Sequence, residues 1–198
     1  MSNHWGRKTG PFHLLQQAFG YFSLSFSSAR FNNTDMSKLL CVCGPAGIGK
    51  STWCKHYIEN HPDEEVFILS ADEYRKKLFG TYRQFPPLRN MRIVYDEMIR
   101  QAKNLRLAKK NPTIILDTTM INDERRLYFV KQLMEFEERV LVLLKVHDYS
   151  VLLERNARRI YEKRVPDEVI IDMSRHYYDP EAECLKYFTE YFEEYRDD

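Results

Sequence analysis

The chain has 198 residues, of which 43% are hydrophobic and 30% are charged, and its formal net charge is +1. This length and composition predict one globular domain with a substantial core. A charge so close to neutral argues against a surface that coats nucleic acid through broad positive charge, although it leaves room for a local basic patch. The four cysteines form no C-x-x-C pair, and we interpret them as small buried residues in a reducing cytoplasm.

The first 36 residues differ in composition from the rest of the chain. They are rich in Ser, Phe and Asn, and Asp35 is their sole acidic residue. Polar residues interrupt the apolar ones between Phe12 and Phe26, so this segment predicts no membrane span, and its pattern is a weak match to a secretory signal or a transit peptide. We expect residues 1–36 to be a disordered or non-native extension and residues 37–198 to form the folded domain.

A glycine-rich turn lies between an apolar run, Leu39–Cys43, and a predicted helix. The turn has the spacing G-x-x-x-x-G-K-S and consists of Gly44, Pro45, Ala46, Gly47, Ile48, Gly49, Lys50 and Ser51. Such glycines let backbone N–H groups converge on an anion, and the helix N-terminus adds partial positive charge. The sequence therefore predicts a P-loop that binds ATP, in which Lys50 reaches the outer phosphates, Ser51 binds Mg²⁺ and Thr52 lines the same site.

From residue 38 onward the pattern alternates between strand and helix. This alternation predicts an α/β fold of the P-loop NTPase or kinase type, with a parallel sheet of about four to five strands and helices on both faces. Short apolar runs predict strands at residues 66–69, 113–116 and 140–146. Asn122, Asp123 and Glu124 are predicted to cap a helix that runs to about residue 136, and a further helix is predicted over residues 150–161. Two C-terminal helices are predicted between residues 166 and 195. The last helix would carry an apolar stripe, which we interpret as core packing or as a partner-binding face; its residues are Leu185, Phe188, Phe192 and Tyr195.

Polar residues follow two further predicted strands, where ligands of parallel sheets bind. Asp72 and Arg75 are three residues apart, so they share a helix face. Asp72 could remove a proton from an acceptor hydroxyl while Arg75 binds a neighbouring phosphate or carboxylate; alternatively, they are a helix cap and a surface arginine. Asp117 has the position of a Walker B acid that orders Mg²⁺, or of a loop cap. Thr118 and Thr119 could line the acceptor site or bond within the turn.

Two basic segments are candidates for binding anions. Residues 154–164 include Arg155 and Arg159 on one helical face, which predicts a lid near residues 155–165 that stabilises the transferred phosphoryl group. The alternative is a solvated helix with pairs such as Glu154 and Arg158. A second segment mixes aromatic and basic residues and could form a groove for an acceptor strand or be an ordinary exposed loop; it contains Tyr82, Arg83, Phe85, Arg89 and Arg92.

Four segments of the chain resemble, in order, the kinase domain of phage-type 5′-polynucleotide kinases. They lie at residues 44–53, 70–75, 117–127 and 155–166, and the resemblance extends from about residue 37 to 178. It implies transfer of the ATP γ-phosphate to a 5′-hydroxyl end of DNA or RNA, with Mg²⁺ as cofactor. Asp72 would be the general base and Arg75 would contact the acceptor's 3′-phosphate. Lys50 and Arg159 would clamp the ATP phosphates near Arg155, while Asp117 would support the site.

The chain also departs from the phage pattern. Ala71 stands where that pattern has a basic residue, and the segment from Asp117 to Asn122 is one residue longer. No D-x-D-G-T phosphatase signature is present, so we expect a kinase without a phosphatase domain, acting in nucleic-acid repair. Two other hypotheses remain open at this point: a zeta-toxin-like or other small-molecule P-loop kinase, and a non-catalytic binding module controlled by a nucleoside triphosphate.

Overall fold

The computed structural model describes residues 36–82 and 88–197. Our expectation for the N-terminal segment therefore lies outside the described residues, apart from Met36. The strands are β1 (Lys38–Cys43), β2 (Val66–Ser70), β3 (Thr113–Asp117), β4 (Glu138–Lys145) and β5 (Glu190–Tyr195). The helices are α1 (Lys50–Asn60), α2 (Ala71–Phe79), α3 (Leu88–Ala108), α4 (Asp123–Val130), α5 (Val151–Ala157), α6 (Asp167–Arg175) and α7 (Ala182–Leu185), and a 3₁₀ helix covers Tyr161–Lys163.

The five strands form one parallel sheet in the order β2-β3-β1-β4-β5. Strand β1 lies at its centre, with Leu40 opposite Ile115 on one side and Val140 on the other. Continuous apolar runs are typical of parallel strands that are covered on both faces. Residues 39–43 are accordingly buried. The predicted α/β parallel sheet is confirmed.

Alternating side chains of β1 enter two separate cores, because successive residues of a strand point to opposite faces. Leu39 packs in a cluster with Met98 of α3 and Phe129 of α4. Leu40 packs in the other cluster with Trp53 of α1. Helices therefore cover both faces of the sheet, and the carboxyl ends of the parallel strands meet at one edge. No helix among residues 36–82 and 88–197 is long and apolar enough to cross a bilayer.

The first of the two predicted C-terminal helices is present as α6, whereas the second is much shorter than predicted. Helix α7 ends at Leu185, and residues 190–195 form β5, which pairs with β4. Aromatic residues favour strands, and β5 satisfies backbone groups on the edge of β4 that would otherwise lack partners. Phe188 is buried, whereas Phe192 and Tyr195 are 40% and 49% exposed. The predicted helical stripe is therefore wrong, and a helical partner-binding face does not exist here.

Two other helices end earlier than the sequence predicts. Helix α4 ends at Val130 rather than near residue 136, and α5 ends at Ala157 rather than at residue 161. In both places the chain continues through turns in which an N–H bonds to the carbonyl three residues earlier, as Leu133 does to Val130. Asn122 is the predicted N-cap of α4, and its side chain accepts a hydrogen bond from the Arg125 N–H at 3.1 Å.

Glu137 attaches the start of β1 to the loop before β4. The Ser37 N–H and hydroxyl both donate to its carboxylate, the former at 2.9 Å, and Arg106 pairs with it at 2.6 Å. Burial raises the pKa of Glu137, but the hydrogen bonds from Ser37 and Arg106 outweigh this effect and lower the pKa from 4.5 to about 2. The ionised carboxylate is therefore favoured in the folded state.

We expect Glu137→Gln to flatten the acid limb of the stability profile. A depressed folded-state pKa contributes stability above the unfolded value of 4.5, and this contribution is lost as the pH falls toward 2. The wild type should thus lose more stability than Glu137→Gln between pH 5 and pH 2, as measured by urea unfolding. Glu138→Gln is the matched control, because Glu138 pairs with Lys38 at 3.2 Å one residue away. Parallel profiles for wild type and Glu137→Gln would contradict this account.

Candidate active site

A cavity of about 510 Å³ lies at the carboxyl ends of β1, β2 and β3. Its lining contains most of the predicted site residues, namely Ala46, Gly47, Ile48, Gly49, Lys50, Ser51, Thr52, Asp72, Arg75, Asp117, Thr118, Thr119, Arg155 and Arg159. Gly44 and Pro45 do not line the cavity, but their backbone carbonyls accept hydrogen bonds from Lys50, which does. The three strand ends that the sequence predicted to converge therefore do so.

Among the P-loop glycines, Gly47 and Gly49 have backbone conformations that favour glycine. Gly49 is the N-cap of α1 and has φ 104, and Gly47 has φ 88. A Cβ on Gly47 would lie 2.8 Å from the carbonyl oxygen of Leu152 in α5. Positive φ angles are costly for residues with a side chain, and this contact would add a backbone clash. Glycine therefore lets the P-loop fold tightly against the helix that begins the predicted lid.

Lys50 lies over the P-loop within the cavity. Its Nζ donates to the carbonyls of Gly44 and Pro45, each at 2.8 Å. Burial lowers the pKa of Lys50, while the negative charges of Asp117 and Asp72 oppose that shift and the positive charge of Arg159 adds to it. Lys50 of the P-loop therefore interacts electrostatically with both carboxylates of the cavity, Asp72 and Asp117.

Ser51 and Asp117 form the part of the site that could hold Mg²⁺. The Ser51 hydroxyl donates to Asp117 Oδ2 at 2.8 Å. Burial raises the pKa of Asp117, whereas Lys50 and the Ser51 hydrogen bond oppose this shift. Mg²⁺ in phosphotransfer sites prefers oxygen ligands and usually combines one or two protein groups with substrate phosphates. These two oxygen-bearing side chains fit that requirement, and no cluster of three or more His, Cys, Asp or Glu suited to a metal lies in the described part of the chain.

Asp72 and Arg75 occupy one face of α2, as their spacing predicts. Arg75 Nη2 donates to Asp72 Oδ1 at 2.5 Å. The Arg75 side chain is 8% exposed, whereas the Asp72 side chain is 44% exposed. Both residues line the cavity that contains the P-loop. The alternative of a surface arginine is therefore wrong, and Ser70 rather than Asp72 is the N-cap of α2.

The segment predicted as a lid borders the cavity through its arginines. Arg155 and Arg159 both line the cavity, and Arg159 Nη1 donates to the carbonyl of Lys163 at 3.3 Å. Arg158 faces the other way and approaches Glu154 at 3.8 Å. The segment from residue 154 to 159 therefore combines the two interpretations of its sequence, since Arg155 and Arg159 line the cavity and Arg158 is exposed near Glu154.

Several residues that line the cavity escaped the sequence-based prediction. Arg125 follows the N-cap of α4, and its Nη1 donates to the Thr119 hydroxyl at 3.2 Å. Arg196 enters from the end of β5, which was not predicted as a strand. The lining also includes four apolar side chains, which are Met91, Tyr95, Val165 and Met173. The Asn122 cap could have indicated the direction of Arg125, whereas no local pattern indicates that of Arg196.

Tyr82 does not contribute to the groove that the aromatic and basic segment could form. This side chain is 8% exposed, and its hydroxyl donates to Glu73 at 2.9 Å. Lys163 pairs with the same carboxylate at 2.9 Å. The side chains of Arg83, Phe85 and Arg89 lie outside the described residues. All four cysteines are buried and free, as expected.

Comparisons with known proteins identify the family and the fold. Residues 39–180 match the family model AAA_33, described as AAA domain. No curated protein sequence matches the chain. Among solved structures, Kti12 from Chaetomium thermophilum in complex with ADP-AlF3 is 15% identical, with a TM-score of 0.59 over 81% of this chain and 90% of that one. A gluconokinase from Sinorhizobium meliloti 1021 is 17% identical, with a TM-score of 0.53 over 83% and 86% of the two chains.

A third similar structure is that of the Pnkp1/Rnl/Hen1 RNA repair complex. It is 22% identical over 75% of this chain, with a TM-score of 0.57, and this chain spans 46% of that one. At these identities the likeness shows the fold, which is that of P-loop kinases and implies nucleotide binding. With a family match that covers most of its length, the chain belongs to the AAA domain family AAA_33 and has the P-loop kinase fold.

Proposed function

We propose that this protein is an ATP- and Mg²⁺-dependent polynucleotide 5′-hydroxyl kinase. The observation that supports this proposal most strongly is the Asp72–Arg75 pair, at 2.5 Å, within the cavity of the P-loop. A carboxylate beside a nearly buried guanidinium suits an acceptor in which a hydroxyl lies close to a phosphate. The 5′-terminal nucleotide of a nucleic acid has this arrangement, because its 5′-hydroxyl and 3′-phosphate are on the same ribose.

In the proposed reaction, the oxygen of the 5′-hydroxyl forms a bond to the γ-phosphorus of ATP, and Asp72 accepts the proton of that hydroxyl. The bond between that phosphorus and the β,γ-bridging oxygen breaks, and ADP leaves. Lys50, Arg155 and Arg159 stabilise the charge on the phosphoryl group. Ser51 and Asp117 would hold Mg²⁺, which supplies further positive charge for the phosphate oxygens.

Further residues of the cavity favour a nucleotide over a sugar as the acceptor. Arg125 adds a second cation near Thr119, next to the end of β3. Tyr95 and Met91 of α3 provide apolar surface in the same cavity. Nucleobases stack on aromatic side chains, while phosphates pair with arginine. The relative solved in an RNA repair complex is in keeping with nucleic-acid ends as acceptors.

A second candidate function is a small-molecule kinase. Ala71 supports it, because this residue lines the cavity and supplies no cation at the position preceding Asp72. The gluconokinase among the similar structures is an example of a small-molecule acceptor on this fold. Both functions use the same donor residues, so the two differ only in the acceptor.

An acceptor panel distinguishes the two functions. The protein, Mg²⁺ and γ-labelled ATP are incubated with 5′-hydroxyl DNA, 5′-hydroxyl RNA, nucleosides, gluconate and nucleotide sugars. We expect label on the oligonucleotides at kcat/KM values at least 10²-fold above those of the small molecules, which corresponds to about 2.7 kcal/mol of transition-state discrimination. Preferential labelling of a small molecule would replace the proposed function by the second candidate.

Arg75→Ala should selectively lower kcat/KM for acceptors that carry a 3′-phosphate. A hydrogen bond to a charged group contributes about 1.5–3 kcal/mol, so kcat/KM for a nucleoside 3′-monophosphate should fall about 10- to 100-fold more than that for the nucleoside. The KM for ATP should not change. Arg100→Ala is the control, since this exposed arginine pairs with Glu97 at 2.5 Å on α3. An equal loss for both acceptors would show that Arg75 does not recognise the 3′-phosphate.

A further inference from the structure

Two adjacent apolar side chains of the predicted lid segment, residues 155–165, are exposed to solvent. Ile160 is 64% exposed and Tyr161 is 65% exposed. Among the large hydrophobic residues that the structure describes, Leu107 alone is more exposed. Single exposed apolar residues are common, whereas adjacent ones beside a ligand cavity mark a surface that contacts a ligand or a partner. Ile160 and Tyr161 form such a pair.

The exposed pair lies at the rim of the cavity, between the P-loop and α2. Arg159, which precedes the pair, lines the cavity. Lys163, which follows the pair in the same 3₁₀ helix, has its Nζ 2.9 Å from the carboxylate of Glu73 on α2. Glu73 is adjacent to Asp72, the general base of the proposed reaction. A strand whose terminal hydroxyl reaches Asp72 must leave the cavity over its rim, so its next nucleotides can contact the pair.

The backbone that carries the pair is held in place by hydrogen bonds. Asn156 is buried, and its side chain donates to the Val165 carbonyl at 2.7 Å and accepts from the Val165 N–H at 3.0 Å. These two bonds close the loop of residues 157–164. Within the loop, Arg164 Nε donates to the Arg159 carbonyl at 2.9 Å. The exposed side chains therefore belong to a preformed loop, and a ligand can bind them without first ordering the backbone.

The charges around the pair favour a polyanion as the ligand. Residues 154–164 contain five basic and two acidic residues, and the acidic ones are Glu154 and Glu162. Arg158 is 82% exposed and lies 3.8 Å from Glu154, so this surface ion pair is weak. Arg164 is exposed as well. An apolar partner would remove water from these cations without pairing them. A nucleic-acid strand supplies phosphates for the arginines and bases that stack on an aromatic ring.

We propose that the outer side of the lid segment binds the acceptor strand beyond its terminal nucleotide. Tyr161 stacks on a base, Ile160 adds apolar surface beside it, and the guanidinium groups of Arg158 and Arg164 pair with the flanking phosphates. This inference rests on the proposed function, since it requires a nucleic-acid acceptor. It adds a binding surface outside the cavity, which makes a longer acceptor a better substrate than a terminal nucleotide alone.

The test compares a long and a short acceptor on the full chain. The value of kcat/KM is measured for a single-stranded 5′-hydroxyl oligonucleotide of about 12 nucleotides and for a nucleoside 3′-monophosphate, which has no further nucleotide. Tyr161→Ala should lower kcat/KM for the oligonucleotide about tenfold and leave that for the nucleoside 3′-monophosphate within about twofold of the wild-type value. Tyr161→Phe should retain most of the activity on the oligonucleotide, because it keeps the ring. Leu107→Ala is the control, since Leu107 is 85% exposed on α3 and does not line the cavity.

The double variant Arg158→Ala/Arg164→Ala should bind the oligonucleotide with a weaker salt dependence. Each phosphate contact to a single strand contributes about 0.7 to the slope of log Kd against log salt concentration, so the slope should fall by about 1.4. Fluorescence anisotropy of the labelled oligonucleotide measures this slope. An unchanged slope would show that the two arginines do not contact phosphates and would overturn the inference.

Other results would overturn the inference in distinguishable ways. Equal losses on both acceptors in Tyr161→Ala would identify a structural role of Tyr161, and unchanged kinetics on both would show that the strand does not contact it; the kinase function would stand in either case. Self-association of the wild type that Tyr161→Ala abolishes, with unchanged oligonucleotide kinetics, would assign the surface to a second copy of the chain. A wild type that labels no oligonucleotide would overturn the proposed function itself, and this inference with it.

Discussion

Asp72→Asn is expected to lower the turnover number for phosphoryl transfer by about 10²- to 10⁴-fold, the usual contribution of a general base. Asparagine can still accept the hydrogen bond from Arg75, which the carboxylate accepts at 2.5 Å, but it cannot take up a proton from the acceptor hydroxyl. The affinity for ATP should therefore change little. Steady-state kinetics with a 5′-hydroxyl oligonucleotide, combined with isothermal titration of a non-hydrolysable ATP analogue, measure both quantities.

Glu73→Gln is the matched control for this prediction. Glu73 is the next acidic residue on α2, but it accepts from Tyr82 at 2.9 Å and pairs with Lys163 at 2.9 Å, and it does not line the cavity. Its substitution should leave turnover within a few-fold of the wild type. If Asp72→Asn retained most of the activity, the general base would have to be a different group, and the interpretation of the Asp72–Arg75 pair would be wrong.

Lys50→Ala should lower turnover by about 10²- to 10³-fold, as expected for the loss of one preorganised donor to a developing charge. Lys50 is half-buried and lines the cavity, where its ammonium donates to the carbonyls of Gly44 and Pro45 at 2.8 Å. ATP should also bind more weakly, because in the proposed site the lysine would contact phosphates in the ground state as well as in the transition state. Turnover and analogue binding are measured as for Asp72→Asn.

Lys55→Ala is the control for Lys50, because Lys55 is an exposed lysine on the same helix. Activity of this variant should equal that of the wild type. Wild-type turnover in Lys50→Ala would contradict the assignment of residues 44–51 as the site that activates the donor phosphates, whatever the acceptor proves to be.

The parts of the fold that could be predicted are those with a local signal. The apolar run of β1 and the P-loop glycines determine the centre of the sheet and the turn that follows it. The Asn122 cap of α4 was also predictable. By contrast, residues 182–195 carry an apolar stripe at helical spacing, yet residues 190–195 form a strand. The aromatic residues of this segment favour a strand, but the helical spacing concealed that preference, and the pairing with β4 decides the structure.

The candidate site was predictable to a similar extent. The parallel topology brings together Asp72, Arg75 and Asp117, because each of them lies at or shortly after the end of a strand. Arg125 and Arg126 are adjacent in sequence, but the first lines the cavity and the second is fully buried, where it bonds Asp123 at 2.8 Å. Neighbouring residues on a helix point in different directions, and only the packing of α4 determines which of the two reaches the site. The position of Arg196 in the cavity could not be predicted without knowing that residues 190–195 form β5.

The most direct test of the central claim is the position of the transferred phosphate. The protein is incubated with γ-labelled ATP, Mg²⁺ and a 5′-hydroxyl oligonucleotide, and the product is digested to mononucleotides. We predict that the label is found as the 5′-monophosphate of the terminal nucleotide, and that Asp72→Asn and Lys50→Ala remove it. Absence of label from both DNA and RNA ends, under conditions in which a small molecule is labelled, would contradict the proposed function.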